Sequence, residues 1–177
     1  MTAPKSAPPK AAPPSTALCR YTADRIFLRD LDLVDEVIGR MDFTSPFFYQ
    51  VMARRPTPQE NAVLNAVLVT LMEHGLTPSA IATRLIAVSS PEASQAAIAA
   101  GLLGVGSRFI GTIEDSARLL QDLLDAPGGV EKAAAETVAR HRAQKLPLPG
   151  FGHHLHRPDD PRSPRLMEFA ESQGLAG

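Results

Sequence analysis

Apolar residues recur at helical spacing along most of the chain, and this pattern predicts a helical protein. The strongest example is TPQENAVLNAVLVTLMEHG, residues 57–75, where apolar side chains return every three or four positions. Thr57 and Glu60 have the spacing of a capping box at its start, and Gly75 is a typical helix stop at its end. We expect an apolar stripe of this helix to lie in the core, through Val63, Leu64, Val67, Leu68, Leu71 and Met72.

Pairs of Ser or Thr followed by Pro stand before several such stretches. A hydroxyl side chain at a helix N-cap accepts a backbone N–H, and proline at the next position loses no helical hydrogen bond. The pairs therefore predict four helix starts, at Ser45-Pro46, Thr57-Pro58, Thr77-Pro78 and Ser90-Pro91.

Further helices are expected over residues 78–88, 91–103 and 130–145, and a last one begins at Ser163 and ends at Gly174. Between them lies an amphipathic helix whose apolar stripe consists of Ile113, Ala117, Leu120 and Leu124.

The expected fold class is all-α, with a short strand or hairpin compatible with residues 24–33. Residues 1–18 are rich in proline and alanine and are expected to form a disordered tail. Residues 19–177 are expected to form one helical domain.

The composition excludes several classes of function. A formal net charge of −1 leaves no broad basic field for nucleic acid or an anionic membrane. The single cysteine, Cys19, rules out an intramolecular disulfide and is compatible with a reducing compartment. We expect no secretory signal, because the start of the chain lacks a hydrophobic segment, and no apolar run approaches the roughly 20 residues that span a bilayer. We therefore expect a cytoplasmic protein with no nucleic-acid or membrane partner.

Three stretches hold polar groups that core packing does not require. His74, in MEHG, stands at a helix end, where the helix dipole favours a cation, so a capping role is an alternative to a catalytic one. Arg108, in GVGSRFIG, lies among glycines that suit either a turn against a ligand or a plain helix corner.

The third stretch is GFGHHLHRPDDPR, residues 150–162. Its histidines, His153, His154 and His156, are too close together for an ordinary zinc site, and no cysteine lies nearby, so we expect no metal. From the residues alone, a solvated loop and the wall of an active site both remain open.

Together these stretches resemble the citrate synthase superfamily. GFGHHLHRPDDPR is similar to the family's glycine-aromatic-glycine-histidine loop and its downstream Asp-Pro-Arg, and LVTLMEHG is similar to its helix-ending histidine segment. GLLGVGSRFIGTIED resembles the matching corner of citryl-CoA lyases and of the C-terminal module of ATP-citrate lyase. The similarity runs from about Asp42 to the end of the chain, in the family's order.

The resemblance implies a citrate synthase-like helical fold, a homodimer, and chemistry on citryl-CoA, acetyl-CoA and oxaloacetate, with coenzyme A as substrate thioester. His153 matches the histidine that polarises the oxaloacetate carbonyl or holds the equivalent citryl oxygen, and His74 matches a helix-end histidine on the same substrate. Arg162 matches the arginine that pairs with a substrate carboxylate, and Arg108 is a second candidate for anion contact. The turn that lies against CoA corresponds to Leu148, Gly150, Phe151 and Gly152.

The resemblance to the family assigns no role to His154 or His156, so we expect both side chains to be solvated and dispensable. Phe109 stands near the place where citrate synthases carry a histidine that steadies the acetyl-CoA enolate, which favours a lyase over a synthase. The family's catalytic aspartate is expected beyond Gly177, so the C-terminal part of the family module would be missing.

We therefore expect citryl-CoA lyase-type cleavage to acetyl-CoA and oxaloacetate, or the reverse condensation, by an acyl-CoA carbon–carbon lyase or transferase. The alternative is a catalytically impaired member of the same fold that binds CoA or forms a dimer but lacks the aspartate.

Overall fold

The computed structural model describes residues 15–73, 75–106, 112–153 and 155–175. Three short strands come first, β1 (Cys19–Tyr21), β2 (Ile26–Leu28) and β3 (Leu31–Asp32), followed by one π-helical turn, Leu33–Val37. Within the described ranges seven α-helices follow: α1 (Thr44–Met52), α2 (Pro58–Leu71), α3 (Pro78–Ser89), α4 (Ser94–Leu103), α5 (Thr112–Leu124), α6 (Val130–Gln144) and α7 (Arg162–Ser172). The expected all-α class is confirmed, with the strands confined to the N-terminal side.

The chain divides into two compact units, whose boundaries fall inside α2 and α7. The first comprises the residues up to Leu68 together with those from Phe169 onward, and the second comprises Val69–Glu168. Every residue that the resemblance assigns to a site falls within the range of the second unit. The predicted tail, residues 1–18, lies mostly outside the described residues and stays a prediction.

The first unit begins with an antiparallel meander. β2 pairs with β1 on one side and with β3 on the other, with Arg20 opposite Phe27 and Leu28 opposite Leu31. The hairpin expected within residues 24–33 is therefore present, and β1 adds a third strand that the sequence pattern did not predict.

Asp32 is the buried polar anchor of the meander. Its carboxylate accepts the N–H groups of Val34 at 2.9 Å and Asp35 at 3.1 Å, and it pairs with the Arg25 guanidinium at 3.1 Å. The Asp35 N–H, helped by Val34 and Arg25, holds the pKa of Asp32 below its ordinary value although burial opposes this. These contacts stabilise a charge that would be costly to bury alone.

Two predicted helix starts are present as expected. At α2, the Glu60 N–H donates to Thr57 Oγ1 at 3.2 Å, and the Thr57 N–H donates to Glu60 Oε2 at 2.8 Å, which is a reciprocal capping box. At α3, the Thr77 hydroxyl oxygen accepts the N–H of Ala80 at 3.3 Å.

Three predicted helix starts are displaced, at Ser45, Ser90 and Ser163. The carboxylate of Asp42 accepts the Ser45 N–H at 2.8 Å, so α1 starts earlier, at Thr44. α4 starts only at Ser94, without a side-chain cap. α7 starts at Arg162, because Asp160 accepts the N–H of that residue at 3.0 Å. At α1 and α7 an aspartate upstream of the Ser-Pro pair provides the cap.

In the second unit, α3 packs closely against α4 through small residues. Ala97 and Gly101 are buried in α4, and a Cβ added at Gly101 would lie 2.1 Å from Thr83 Oγ1 on α3. Since real Cβ contacts are much longer, this crossing has no room for a side chain at position 101.

Two apolar stripes are less buried than the sequence predicts. On α2, four positions are half-buried, but Leu71 and Met72, at the helix end, are exposed. On α5 the predicted stripe is exposed, at 61% for Ile113 and 66% for Leu124, while Leu119 and Leu123 are half-buried. The amphipathic pattern identifies an apolar face but not what covers it.

Candidate functional site

A β-turn forms the part of the site predicted to contact CoA. The Phe151 N–H donates to the Leu148 carbonyl oxygen at 3.2 Å, with Pro149 and Gly150 at the two central positions. Gly150 has a φ of +79°, which the third residue of a type II turn requires. Proline followed by glycine is the sequence signature of this turn, so its conformation follows from local chemistry.

The turn lies directly against α5. A Cβ at Gly150 would be 2.2 Å from Ser116 Oγ and 2.7 Å from Ser116 Cβ. Gly152, with a φ of +93°, has nothing within 4 Å of the corresponding position, and the Phe151 side chain is 64% exposed. One side of the turn is thus packed on α5, while Phe151 and Gly152 are accessible from outside.

His153 follows the turn and is fixed in one tautomer. Its Nδ1 accepts the backbone N–H groups of Leu155 and His156, both at 3.1 Å. Because a backbone N–H can only donate, Nδ1 carries the lone pair and the ring proton sits on Nε2. The half-buried imidazole is therefore held as an Nε2–H donor.

His156 lies beside His153. The two ring centroids are 4.6 Å apart and the ring planes meet at 27°, a stacked arrangement. The His156 residue itself is exposed.

Arg162 and Asp160 form a two-point ion pair at the start of α7. Arg162 Nε donates to Asp160 Oδ1 at 2.9 Å, and Arg162 Nη2 donates to Oδ2 at 2.5 Å. These hydrogen bonds hold the pKa of Asp160 well below its usual range. The bonds to Asp160, with a smaller effect of the Glu73 charge, raise the pKa of Arg162. Both groups are therefore charged across the physiological range.

These side chains form one cluster. One side-chain atom each of His153, His156 and Asp160 lies within 4.8 Å of the other two, and Asp160 is bonded to Arg162. We refer to these four residues as the histidine–arginine cluster. The structure thus places the predicted carbonyl donor near the aspartate that is bonded to the predicted carboxylate-binding arginine.

The cluster contains three groups of the kinds that bind transition metals, whereas the sequence led us to expect no metal. The tautomer of His153 bears on this point. Its Nδ1 lone pair is directed at two N–H groups and its Nε2 carries a proton, so ligation would require breaking those bonds or losing that proton. A metal-bound histidine usually donates through its other nitrogen, the opposite of this arrangement.

His74, Arg108 and His154 lie outside the described residues, and the roles predicted for His74 and Arg108 stay predictions. Glu73, which precedes His74, accepts the Gly75 N–H at 2.9 Å and contributes to the raised pKa of Arg162.

No role was assigned to Asp160 or His156 from the sequence. An aspartate two residues before a helical N–H is a common capping pattern, which could have indicated the contact of Asp160 with the start of α7. The packing of His156 on His153 has no comparable sequence signal.

No helix within the described part of the chain is long and apolar enough to cross a membrane.

Sequence comparison identifies the family. The family model for the citrate synthase C-terminal domain matches residues 12–175. Citrate synthases of Synechocystis sp. and Deinococcus radiodurans are each 29% identical, over 75% and 77% of this chain but only 32% and 36% of their own lengths. The chain thus spans about a third of these curated relatives.

Solved structures agree with this result. Citryl-CoA lyase from Hydrogenobacter thermophilus is 30% identical with a TM-score of 0.81, covering 92% of this chain and 62% of that one. The structure of ATP citrate lyase from Methanosaeta concilii in complex with (3S)-citryl-CoA has a TM-score of 0.76 at 18% identity. The match covers 92% of this chain and 26% of the lyase chain, and at this identity it supports the fold alone. Because the family model matches nearly the whole sequence and the helical fold agrees, the chain belongs to the citrate synthase family.

Proposed function

We propose that this chain contributes to citryl-CoA lyase chemistry, the retro-Claisen cleavage of citryl-CoA to acetyl-CoA and oxaloacetate, or to the reverse condensation. The observation that carries the proposal is His153, held as an Nε2–H donor next to the Arg162–Asp160 pair. Family membership and the likeness to a citryl-CoA lyase support it.

In this reaction the hydroxyl group of the citryl unit loses its proton and its oxygen becomes the carbonyl oxygen of oxaloacetate. The neighbouring carbon–carbon bond breaks, and its electron pair passes to the thioester as an enolate. Protonation of the enolate carbon then gives acetyl-CoA. No described residue is assigned to either proton transfer.

His153 is proposed to hold the oxygen that becomes the carbonyl. Its Nε2–H would donate to that oxygen as negative charge develops there, or polarise the carbonyl in the reverse direction. A donor that is already oriented stabilises such a charge without reorganisation, and a neutral imidazole can serve in this way.

Arg162 is proposed to bind a carboxylate of the substrate. Asp160 engages two of the five guanidinium N–H groups, which fixes the plane of the group and leaves the others to be directed at an anion. The predicted roles of His74 and Arg108 on the same substrate are retained in the proposal.

The type II turn is proposed to bind the CoA part of the substrate. Glycine at positions 150 and 152 allows a flat adenine to approach the backbone closely, and Phe151 offers an exposed ring beside it. Leu148 is half-buried at the first position of the turn and would support it from behind.

A coupled assay tests the proposal. Purified protein is given citryl-CoA, and oxaloacetate is measured through malate dehydrogenase and NADH. We expect oxaloacetate release, reduced about 10²–10³-fold in kcat by His153→Ala, as for loss of one oriented donor. Arg162→Ala should impair turnover strongly, whereas its control Arg165→Ala, whose side chain is 72% exposed, should not. Folded protein that releases no oxaloacetate above background would contradict the proposal.

A second candidate is CoA binding without turnover. It is favoured by the turn itself, because residues of this chain alone form it and pack it against α5. Calorimetry with CoA distinguishes the two candidates, since binding that is weakened by Phe151→Ala, without oxaloacetate release, would support this alternative.

We also propose that the protein is a cytoplasmic homodimer. Large apolar side chains are exposed near the ends of α3 and α4, at 84% for Val88 and 89% for Leu103, and a second copy of the chain could cover them. Light scattering coupled to gel filtration should give twice the mass of the chain, and a monomer at all concentrations would contradict this.

A further inference from the structure

We infer that His156 is a positioning residue for His153: its ring and its backbone N–H together keep the His153 imidazole oriented as an Nε2–H donor. The kinetic consequence of this inference rests on the proposed function, but the orientation itself does not. The inference differs from the sequence-based expectation that His156 is solvated and dispensable.

Two independent contacts link the residues. The His156 N–H donates to His153 Nδ1 at 3.1 Å, sharing this acceptor with the Leu155 N–H. The His156 ring also stacks on the His153 ring, with centroids 4.6 Å apart. The first contact specifies which nitrogen carries the proton, and the second restricts rotation of the ring plane.

The stack adds to what the hydrogen bonds fix. The second side-chain torsion of histidine has a broad preference, so tilting the ring away from its observed plane costs little intrinsically. Such a tilt would move Nδ1 away from both N–H groups and misdirect Nε2. A neighbouring ring lying flat against the imidazole makes that tilt sterically unfavourable.

Asp160 lies close to His156 and is itself held in place. A carboxylate oxygen of Asp160 lies within 4.8 Å of a ring nitrogen of His156, and two hydrogen bonds from Arg162 hold that carboxylate in place. The orientation of His153 therefore depends on the start of α7 through His156, although His153 itself lies in the loop.

The test uses two substitutions at one position. His156→Ala keeps the backbone N–H but removes the stack, whereas His156→Phe keeps a flat ring without its nitrogens. Leu155→Ala is the matched control, since Leu155 also donates its N–H to His153 and its side chain is 73% exposed.

The first readout is the ring-nitrogen NMR spectrum of His153 in the full chain without substrate, which does not depend on any activity. The wild type, Leu155→Ala and His156→Phe should show protonated Nε2 and unprotonated Nδ1. In His156→Ala we expect the two ring nitrogens to average toward a mixture of tautomers.

The second readout is the rate of citryl-CoA cleavage. His156→Ala should lower kcat about ten- to a hundredfold, with a smaller change in KM, because a misdirected donor affects the transition state more than binding. His156→Phe should recover most of the loss, and Leu155→Ala should match the wild type.

An unchanged His153 spectrum in His156→Ala would overturn the inference, as would a His156→Phe variant with the same spectrum as His156→Ala. If the wild type released no oxaloacetate, the proposed function would fail, but the spectra would still decide the positioning role. If His156→Ala did not fold, the comparison of His156→Phe with the wild type would decide it, since a mixed tautomer in the aromatic variant contradicts the inference.

Discussion

Two parts of the second unit are held together by different means. The α3–α4 crossing depends on shape, because Gly101 leaves no space beside Thr83. The histidine–arginine cluster depends instead on a few directed hydrogen bonds between half-buried or exposed side chains. We therefore expect one added methyl group to disrupt the crossing, and substitutions in the cluster to affect the proposed chemistry without unfolding the chain.

One of the two largest effects on stability is expected at the crossing of α3 and α4. Gly101→Ala places a Cβ against Thr83 Oγ1, and this clash should lower the free energy of unfolding by about 1–3 kcal/mol. Alanine is also a better helix former than glycine, which should offset up to about 1 kcal/mol of that loss. Thermal denaturation measures this. The control Gly106→Ala has nothing within 4 Å and should change little. Adding Thr83→Ala to Gly101→Ala should recover part of the loss; without recovery, the steric explanation is wrong.

A comparable loss of stability, with a clear effect on ligand binding, is expected at the type II turn of Leu148, Pro149, Gly150 and Phe151. Alanine at position 150 or 152 is strained by about 1–2 kcal/mol, because both glycines have positive φ. Only the Cβ of Gly150→Ala would also clash with Ser116 on α5, so this substitution should weaken CoA binding more than Gly152→Ala. Calorimetry with CoA compares the two, and equal effects would show that α5 does not position the turn.

The ion pair of the cluster should persist in acid. Since the pKa of Asp160 is lower in the folded state than its ordinary 3.8, the pair contributes stability above that pH and loses it as pH falls through the folded value. A carbon-detected NMR titration should place the midpoint of Asp160 clearly below 3.8. Arg162→Ala should return it toward the ordinary value, and a wild-type midpoint at or above 3.8 would contradict the two-point geometry.

The smallest effects are expected at helix starts. Thr57→Ala removes one half of the capping box and should cost about 1 kcal/mol of unfolding free energy, whereas Thr57→Ser should be nearly neutral. Ser90→Ala should be neutral as well, because α4 starts four residues later. Urea denaturation resolves differences of this size. Equal losses at Thr57 and Ser90 would mean that the Ser-Pro pattern, and not the observed hydrogen bond, determines the cap.

These helix starts show how far the sequence could predict the fold. Caps at Thr57 and Thr77 were predictable because the hydroxyl and the N–H that it accepts are three residues apart. The start at Ser45 was not, because the Asp42 carboxylate accepts the Ser45 N–H and α1 already begins at Thr44, and a sequence pattern does not rank Asp42 against Ser45 as the cap. The exposure of the apolar stripe on α5 was not predictable from the sequence either, because burial depends on what packs against a helix.

For the candidate site, the motif pointed to His153 and Arg162 through family resemblance. Their connection through Asp160 and the tautomer of His153 could not be predicted, because both depend on side-chain directions. The role inferred for His156 arises from the same kind of information.

The ring-nitrogen NMR spectrum of His153, recorded as oxaloacetate is added to saturation, tests most directly whether this imidazole donates to the substrate through Nε2. We expect Nδ1 to stay unprotonated and the Nε2–H signal to shift as it donates to the bound carbonyl oxygen. A His153 spectrum that does not change at saturating oxaloacetate, or one with the proton on Nδ1, would contradict this expectation.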